Sequence, residues 1–357
     1  MLVTIIADDL TGAADTAIAF GAPAYVSLGG PLPQVEILAV DTDSRGLSPQ
    51  AAAERVYAAA RDAYRQGTRH LYKKIDSTLR GNVGPEITAA WRAARDSFGH
   101  ASVVVAPAFP SMGRTVRGGR VFVHGVPLEK TEHWQGGPFL KEMLRGLPAA
   151  TIFDAESEAA LAFVARIGVE SISGAAVWAG SAGLARHLPQ ALGLPPRKPA
   201  SMPRGQGPVL VLVGSRSVVA REQASVLAAV PGVASFSLDP STLEADGVQQ
   251  ALTSGSDVVL QLPQGQVDPD RAPLFAAAFG RIALRAPSLG GLIATGGDIA
   301  RAALVAMGAR GLHLLGEVEP GVPFGLAGSL RVITKAGAFG TPETLRNALL
   351  ALRTSRG

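Results

Sequence analysis

The stretch "LVTIIADDLTGAADTAIAFG", residues 2–21, sets the interpretation of the whole chain. It opens with a β-rich apolar run of strand length and continues, at 11–21, with the alanine-rich spacing of a helix. Two aspartates, Asp8 and Asp9, stand at the junction. This order is typical of a βαβ unit, in which a buried parallel strand delivers polar residues to its carboxyl end.

The same alternation continues through the first half of the chain and predicts a parallel sheet with helices on both faces. The helix predicted at 49–66 has clear end signals, since Ser48 is a favoured N-cap, Pro49 suits the first turn and Gly67 closes the far end. The further strand candidates and helices are "VEILAV" (35–40) with 49–66, "RHLYKK" (69–74) with 84–97, "ASVVVAP" (101–107), and "AAVWAG" (175–180).

A second βα series follows the segment "LPPRKPASMPRGQGP" (194–208), whose five prolines and lack of periodicity indicate a linker. Its predicted elements are "VLVLVG" (209–214), a helix at 217–229, "VVLQL" (258–262), a helix near 269–284, "GGLIAT" (290–295), a helix at 298–307, and a last helix near 342–353. We therefore predict an α/β fold with two doubly wound domains, 1–193 and 209–357, largely parallel sheets, and a site in the inter-domain cleft.

Composition narrows the class of protein. Of 357 residues, 47% are hydrophobic, 17% are charged and none is cysteine, which favours a well-packed cytoplasmic globule without disulfides. The net charge of +4 comes from scattered arginines and aromatics make up only 5%, so no nucleic-acid partner is predicted. No run approaches the ~18 apolar residues of a membrane span, and the start lacks a signal peptide's basic region.

Charged and hydroxyl residues follow each of the first four strand candidates, in "ADDLTG" (7–12), "DTDSRG" (41–46), "KKIDSTLRG" (73–81) and "PAFPSMGR" (107–114). The carboxyl ends of parallel strands share one edge, so these side chains are expected to meet in one crevice. The candidates are Asp8, Asp9, Asp41, Asp43, Arg45, Lys73, Lys74, Asp76 and Arg80.

Each candidate also has a purely structural interpretation. Asp9 could simply cap the following helix, and Lys73 could extend along the surface into solvent. Arg45 could pair with Asp41 or Asp43 as a surface bridge. Positive and negative side chains occur together at successive strand ends, and this favours a functional site over the three structural interpretations. Because Lys74 and Asp76 lie two residues apart, they point to the same side of an extended chain, and Lys73 and Ile75 point away.

The second domain offers glycines between strands and helices, where backbone amides and helix N-termini can hold an anion. Neither G-x-x-x-x-G-K-[ST] nor G-x-G-x-x-G occurs, so phosphate binding is a hypothesis that depends on three junctions together. The six histidines lack zinc-site spacing, and no protein metal site is predicted. The junction residues are Gly214, Ser215, Thr295, Gly296, Gly297, Asp298, Lys335, Gly337 and Gly340.

Several motifs in series resemble the four-carbon acid sugar kinase family over nearly the whole chain. One segment departs from the family pattern, since "EKTEHWQGG" (129–137) stands where an aspartate-containing continuation is expected. The motifs are "IADDLTGAADTA" (6–17), "DTDSR" (41–45), "KKIDSTLRGNVGPE" (73–86), "PAFPSMGRTVRGGRVFVHGVPL" (107–128), "GSAGLA" (180–185), "GSRS" (214–217), "ATGGD" (294–298), "EPGVPFG" (319–325) and "TKAGAFG" (334–340).

The resemblance implies an ATP- and Mg²⁺-dependent kinase that phosphorylates the terminal hydroxyl of a four-carbon sugar acid of the threonate, erythronate or 3-oxo-tetronate type. The N-terminal domain would hold the acid and the C-terminal domain would hold the nucleotide. A homodimer is compatible with the resemblance. Matched by motif, the substrate residues are Asp9, Arg45, Lys74, Ile75, Asp76 and Arg80. The nucleotide residues are Ser215, Thr295, Gly296, Gly297, Asp298, Lys335 and Gly337.

For the mechanism, Arg45 is expected to bind the substrate carboxylate through two hydrogen bonds, with Lys74 as a point charge. Three residues remain candidates for the base that receives the hydroxyl proton: Asp9, Asp76 and Asp298. Asp298 could instead hold Mg²⁺ through water. The alternative function is a non-catalytic sensor that binds an acidic sugar metabolite.

Overall fold

The structure is a computed structural model and describes residues 1–171, 174–263 and 271–354. The chain divides into two compact units, Met1–Lys198 and Pro199–Gly357, and their boundary falls inside the predicted linker. The predicted α/β fold with largely parallel sheets is confirmed. No helix within the described ranges is both long and apolar enough to cross a bilayer.

The N-terminal unit has a doubly wound arrangement of strands and helices. The elements are β1 (Val3–Ala7), α1 (Leu10–Ala19), β2 (Ala24–Ser27), β3 (Ile37–Asp41), α2 (Pro49–Arg65), β4 (His70–Lys74), α3 (Val83–Phe98), β5 (Ala101–Ala106), β6 (Arg114–Arg117), β7 (Arg120–Val123), β8 (Val126–Pro127), α4 (Leu140–Met143), β9 (Ala150–Ile152), α5 (Glu158–Ser171), β10 (Ala175–Gly180), α6 (Ala182–Ala185) and α7 (Leu188–Ala191).

Seven of these strands form a parallel sheet in the order β2-β3-β1-β4-β10-β5-β9. β6, β7 and β8 form a separate antiparallel sheet. Local signals explain α2 well: Ser48 accepts a hydrogen bond from the Ala51 amide at 3.3 Å, and Gly67, at φ 79°, follows the helix end.

The strand order determines which residues can meet. β3, β1 and β4 are neighbours, with Ala7 opposite Asp41 and Ile6 opposite Lys73, so their carboxyl ends are level. β10 lies between β4 and β5, an insertion that the order along the chain did not indicate. The segment after β5 is therefore one strand further away than adjacent placement would put it.

The C-terminal unit has the sheet order β12-β13-β11-β14-β17-β16-β15, with strands and helices as given below. The first five strands are parallel, and β15–β17 form an antiparallel meander that we did not predict. Of the helix predicted near 269–284, residues 269 and 270 lie outside the described residues. The elements are β11 (Val209–Val213), α8 (Val218–Ala228), β12 (Val233–Ser237), α9 (Val248–Thr253), β13 (Asp257–Gln261), α10 (Ala272–Arg285), β14 (Gly291–Thr295), α11 (Gly297–Ala306), β15 (Gly311–Glu319), β16 (Val322–Ala327), β17 (Leu330–Lys335) and α12 (Thr344–Thr354).

Candidate active site

An arginine and three carboxylates form a tight cluster where β3, β1 and β4 end. Arg45 donates from Nε and Nη2 to the two oxygens of Asp8 at 2.7 and 2.9 Å, and from Nη1 to Asp9 at 2.7 Å. Its Nη2 also lies 3.9 Å from Asp76 Oδ2. The predicted convergence of these strand ends therefore includes a nearly buried charge network.

Asp9 has two functions in this network. It is the N-cap of α1 and accepts from the Gly12 amide at 2.9 Å, as the structural interpretation predicted, while its other oxygen accepts from Arg45. A Cβ on Gly12 would come within 2.5 Å of Asp9 Oδ1 and 2.7 Å of Lys74 Nζ. Because residue 12 is glycine, the Lys74 ammonium can approach the Asp9 carboxylate. This agrees with the prediction that Lys74 points towards the site.

Asp76 is held on both oxygens. One oxygen accepts from the Thr78 amide at 2.9 Å and from the Thr78 hydroxyl, and the other accepts from Arg80 Nη2 at 2.6 Å. These bonds fix the carboxylate at the start of the loop that follows β4. Asp76 and Arg80 thus belong to the cluster, as their place after the third strand candidate predicted.

The charges in the cluster stabilise one another. Burial alone would raise the pKa of Asp9, but the positive charges of Arg45, Lys74 and Arg80 outweigh it and lower that pKa. Burial likewise opposes ionisation of Asp76, yet Arg80 and Arg45 hold its pKa well below the usual range. Both carboxylates are therefore ionised at neutral pH and can only accept hydrogen bonds there.

Three of the nine candidates, Asp41, Asp43 and Lys73, lie outside the cluster. Asp43 is exposed and lies 4.0 Å from Arg55, and Asp41 accepts a hydrogen bond from the Asp43 amide at 3.0 Å. The alternative in which Arg45 pairs with Asp41 or Asp43 at the surface is wrong, because Asp8 and Asp9 are its partners.

Lys73 and Ile75 point away from the cluster, as the alternation predicted. The solvent-exposed alternative for Lys73 is wrong: this side chain is completely buried and its Nζ lies 2.8 Å from Glu86 Oε2. Glu86 also accepts from Ser44 Oγ at 2.6 Å. Ile75 is buried and its amide donates to Gly180 O at 2.8 Å, so its side chain adds no polar group to the site.

Sequence reasoning missed Arg114 and His133. Asp76 and Arg80 are among the charges that shift the pKa values of both residues, so both lie near the cluster. Burial and the charge of Arg114 lower the pKa of His133, which is therefore neutral at neutral pH. The alternation of β6 was the available signal, because Arg114 shares a face with the buried Val116.

In the C-terminal unit, the three glycine junctions follow the neighbouring strands β11, β14 and β17. The junctions contact one another: the Gly214 amide donates to Thr295 O at 3.0 Å and the Gly296 amide to Lys335 O at 3.2 Å. A Cβ on Gly337 would overlap the Ser215 side chain. At Gly214 the glycine is explained by packing alone, because a Cβ there would overlap Ile299.

Lys335 organises the loop after β17. Its buried ammonium donates to the carbonyls of Ala336 at 2.7 Å, Gly337 at 3.2 Å and Phe339 at 2.8 Å, which occupies all three protons. The amides of Gly337 and Ala338 have no acceptor within the part of the chain that the structure describes. With the carbonyls held by Lys335, these amides form a cradle suited to phosphate oxygens.

The junction that contains Asp298 forms the start of α11. Gly296 adopts φ 94° just before the helix, and Asp298 lies in the first helical turn. The first turn of a helix favours anions through its free amides. Among residues 1–171, 174–263 and 271–354, no group of three or more His, Cys, Asp or Glu side chains could hold a metal ion by itself.

Two family models match the two halves of the chain. Residues 3–139 match a sugar-binding N-terminal domain, and residues 210–345 match a nucleotide-binding C-terminal domain. The chain is 36% identical to the D-threonate kinase of Cupriavidus necator and 34% identical to the D-threonate kinase of Bordetella bronchiseptica. Each similarity covers 99% of this chain and 98% of the relative.

The chain belongs to the four-carbon acid sugar kinase family. A solved protein from Salmonella typhimurium LT2 shares the fold of this family member at 21% identity and a TM-score of 0.76, covering 97% of this chain and 98% of the other. The resemblance that the motifs predicted is thereby confirmed. In this acid sugar kinase, the strand-end cluster lies within the sugar-binding match and the glycine junctions lie within the nucleotide-binding match.

Proposed function

We propose that this kinase transfers the γ-phosphoryl group of Mg·ATP to the terminal hydroxyl of D-threonate. The observation that carries the proposal is the similarity to two D-threonate kinases along 99% of the chain. Erythronate and 3-oxo-tetronate have the same charge and chain length and belong in the same substrate screen. D-Threonate is the first compound to test because both relatives carry its name.

The N-terminal cluster has the chemistry to orient a polyhydroxy acid. Asp9 and Asp76 are fixed acceptors that remain ionised, so each can receive a hydrogen bond from a substrate hydroxyl. Phosphoryl transfer passes through a loose transition state that requires positioning and charge neutralisation more than a strong base. Their lowered pKa values are compatible with that requirement. Asp9, Asp76 and Asp298 all remain candidates for accepting the hydroxyl proton.

Backbone groups of the C-terminal unit support the proposal that this unit binds ATP. The amides of Gly337 and Ala338 and the start of α11 supply donors for phosphate oxygens. Mg²⁺ commonly takes one or two carboxylates together with phosphates and water, so Asp298 suffices as a protein contact. Lys335 would act through the loop it holds, because its protons are already donated to carbonyls.

An ADP-release screen over four-carbon acids and their oxidised forms tests the proposal. Asp76→Asn should lower kcat by about 10²–10⁴-fold, the usual range for a group that handles the reacting proton or orients its donor. The KM for Mg·ATP should stay the same, because Asp76 lies in the other unit. Asp62→Asn, on the exposed face of α2, is the matched control. Unchanged turnover in Asp76→Asn would refute the placement of the sugar-acid site.

A further inference from the structure

The strand-end cluster has no positive charge to spare for a substrate. It contains three carboxylates, Asp8, Asp9 and Asp76, and three cations, Arg45, Lys74 and Arg80, so its formal charges cancel. A substrate carboxylate placed against Arg45 would have to displace Asp8 or Asp9 or lie beside both. Like charges at such short range are strongly unfavourable in a buried site.

Three of the five N–H donors of Arg45 are already bonded to buried carboxylates. Its Nε and Nη2 form a two-pronged pair with Asp8, and its Nη1 is bonded to Asp9. Those carboxylates are 3% and 9% exposed at their side chains, so they cannot turn into solvent without moving the backbone. A substrate carboxylate bound to Arg45 would therefore lie against two buried anions, which favours another cation as its partner.

Arg114 is a buried cation whose charge is not balanced. The residue is only 6% exposed, and in the described ranges no carboxylate lies within 4 Å of its guanidinium. Its Nη1 donates to Met112 O, whereas its buried Nε has no acceptor among the described residues. A buried guanidinium with an unused donor is costly to keep and is stabilised by an anion that completes its hydrogen bonds.

The surrounding structure fixes the position of Arg114 near the cluster. The Arg114 amide and carbonyl are both bonded to Phe109, at 3.0 and 2.7 Å, which fixes the start of β6. Gly113 adopts φ 70°, and a Cβ there would overlap the His124 ring. Asp76 and Arg80 both act electrostatically on Arg114, so the guanidinium lies near those two residues.

We propose that Arg114, and not Arg45, binds the carboxylate of the sugar acid. This inference depends on the proposed function, because it assigns one end of the proposed substrate. The neutral His133 beside Arg114 adds no competing positive charge. The Arg114 guanidinium can bind the carboxylate through two hydrogen bonds. This contact also fixes the orientation of the sugar acid, so that the opposite end of the substrate carries the hydroxyl to be phosphorylated.

The test compares the binding of D-threonate and its uncharged amide by isothermal titration without nucleotide. In the wild type, the acid should bind about 30-fold or more tightly than the amide, the effect of a buried charged hydrogen bond. In Arg114→Met the two should bind equally weakly. Arg117→Met is the matched control, because Arg117 lies three residues along β6, is exposed and pairs with Glu156 at 3.7 Å. Arg114→Lys keeps the charge without the fork and should retain part of the preference.

Each outcome decides the matter. If Arg114→Met or, should that variant not fold, Arg114→Lys keeps the full wild-type preference for the acid, the inference is overturned. If the substitution weakens acid and amide binding by the same factor, so that the preference for the acid is kept, the inference is also overturned, because Arg114 would then support the fold and would not bind the carboxylate. A wild type that neither binds nor phosphorylates any four-carbon acid would refute the proposed function itself, a result distinct from any defect confined to Arg114 variants.

Discussion

Replacing Lys73 by methionine should destabilise the N-terminal unit severely, although Lys73 does not face the proposed substrate site. The Lys73 ammonium is 0% exposed, lies 2.8 Å from Glu86 Oε2 and donates to Lys74 O at 2.6 Å. Without it, the Glu86 carboxylate, itself 2% exposed, would keep only the Ser44 hydroxyl as a partner among the described residues. Breaking a buried pair in this way costs about 3–5 kcal/mol.

Tryptophan fluorescence isolates this effect in the full-length protein. All three tryptophans, Trp91, Trp134 and Trp178, lie in the N-terminal unit, so their emission reports the unfolding of that unit alone. A loss of about 3–5 kcal/mol corresponds to a fall of roughly 6–20 °C in Tm for a unit of this size. Lys130→Met, at an exposed lysine, should leave Tm unchanged within about 1–2 °C.

A double variant tests the reasoning behind this magnitude. Lys73→Met with Glu86→Leu removes both charges, so it should be markedly more stable than the single lysine variant. A fall of less than about 1 kcal/mol in Lys73→Met, or strictly additive effects of the two changes, would refute the buried pair as the source of stability.

Three further predictions concern the nucleotide loop and the titration of the site. Gly337→Ala should raise the KM for Mg·ATP about 5- to 150-fold without changing D-threonate binding, because the overlap with Ser215 costs about 1–3 kcal/mol; unchanged steady-state kinetics would contradict this. Burial lowers the pKa of Lys335 to about 7, although the charge of Glu319 opposes the shift. Because the ammonium holds the carbonyls of the nucleotide loop, Mg·ADP affinity should weaken as the pH rises through about 7 and this ammonium loses its proton. An identical pH dependence in Lys335→Met would contradict this. The pKa of Asp76 in the folded protein lies below its unfolded value of 3.8, so the ionised carboxylate stabilises the fold above pH 3.8 and this contribution is lost as the pH falls towards the folded pKa. The difference in the free energy of unfolding between wild type and Asp76→Asn, followed by tryptophan fluorescence, should therefore shrink below about pH 4.

Local patterns were sufficient for the parallel part of the fold. The alternation of apolar runs with helix-period segments located β1, β3, β4 and β5, and the Ser48-Pro49 pair located the start of α2. The period of two in "KKID" correctly separated Lys74 and Asp76 from Lys73 and Ile75. Such features follow from backbone geometry within a few residues, which is why one sequence reveals them.

Long-range features could not be derived in that way. The insertion of β10 between β4 and β5 joins residues about a hundred positions apart, and the β15–β17 meander depends on pairings across two turns. Lys73 pairs with the carboxylate of Glu86, which lies 13 positions further along the chain, in α3. The same is true of Arg45, because local spacing suggested Asp41 or Asp43 whereas the fold brought Asp8 and Asp9 to it.

Transfer of phosphate to D-threonate is the measurement that tests the central claim most directly. The wild-type protein with Mg·ATP and D-threonate should release one ADP per acceptor consumed, and ³¹P NMR should show a single new phosphomonoester coupled to the two protons of the terminal carbon. No acceptor-dependent ADP release with any four-carbon acid, from a protein that these acids still stabilise thermally, would contradict the kinase function and favour a non-catalytic sensor.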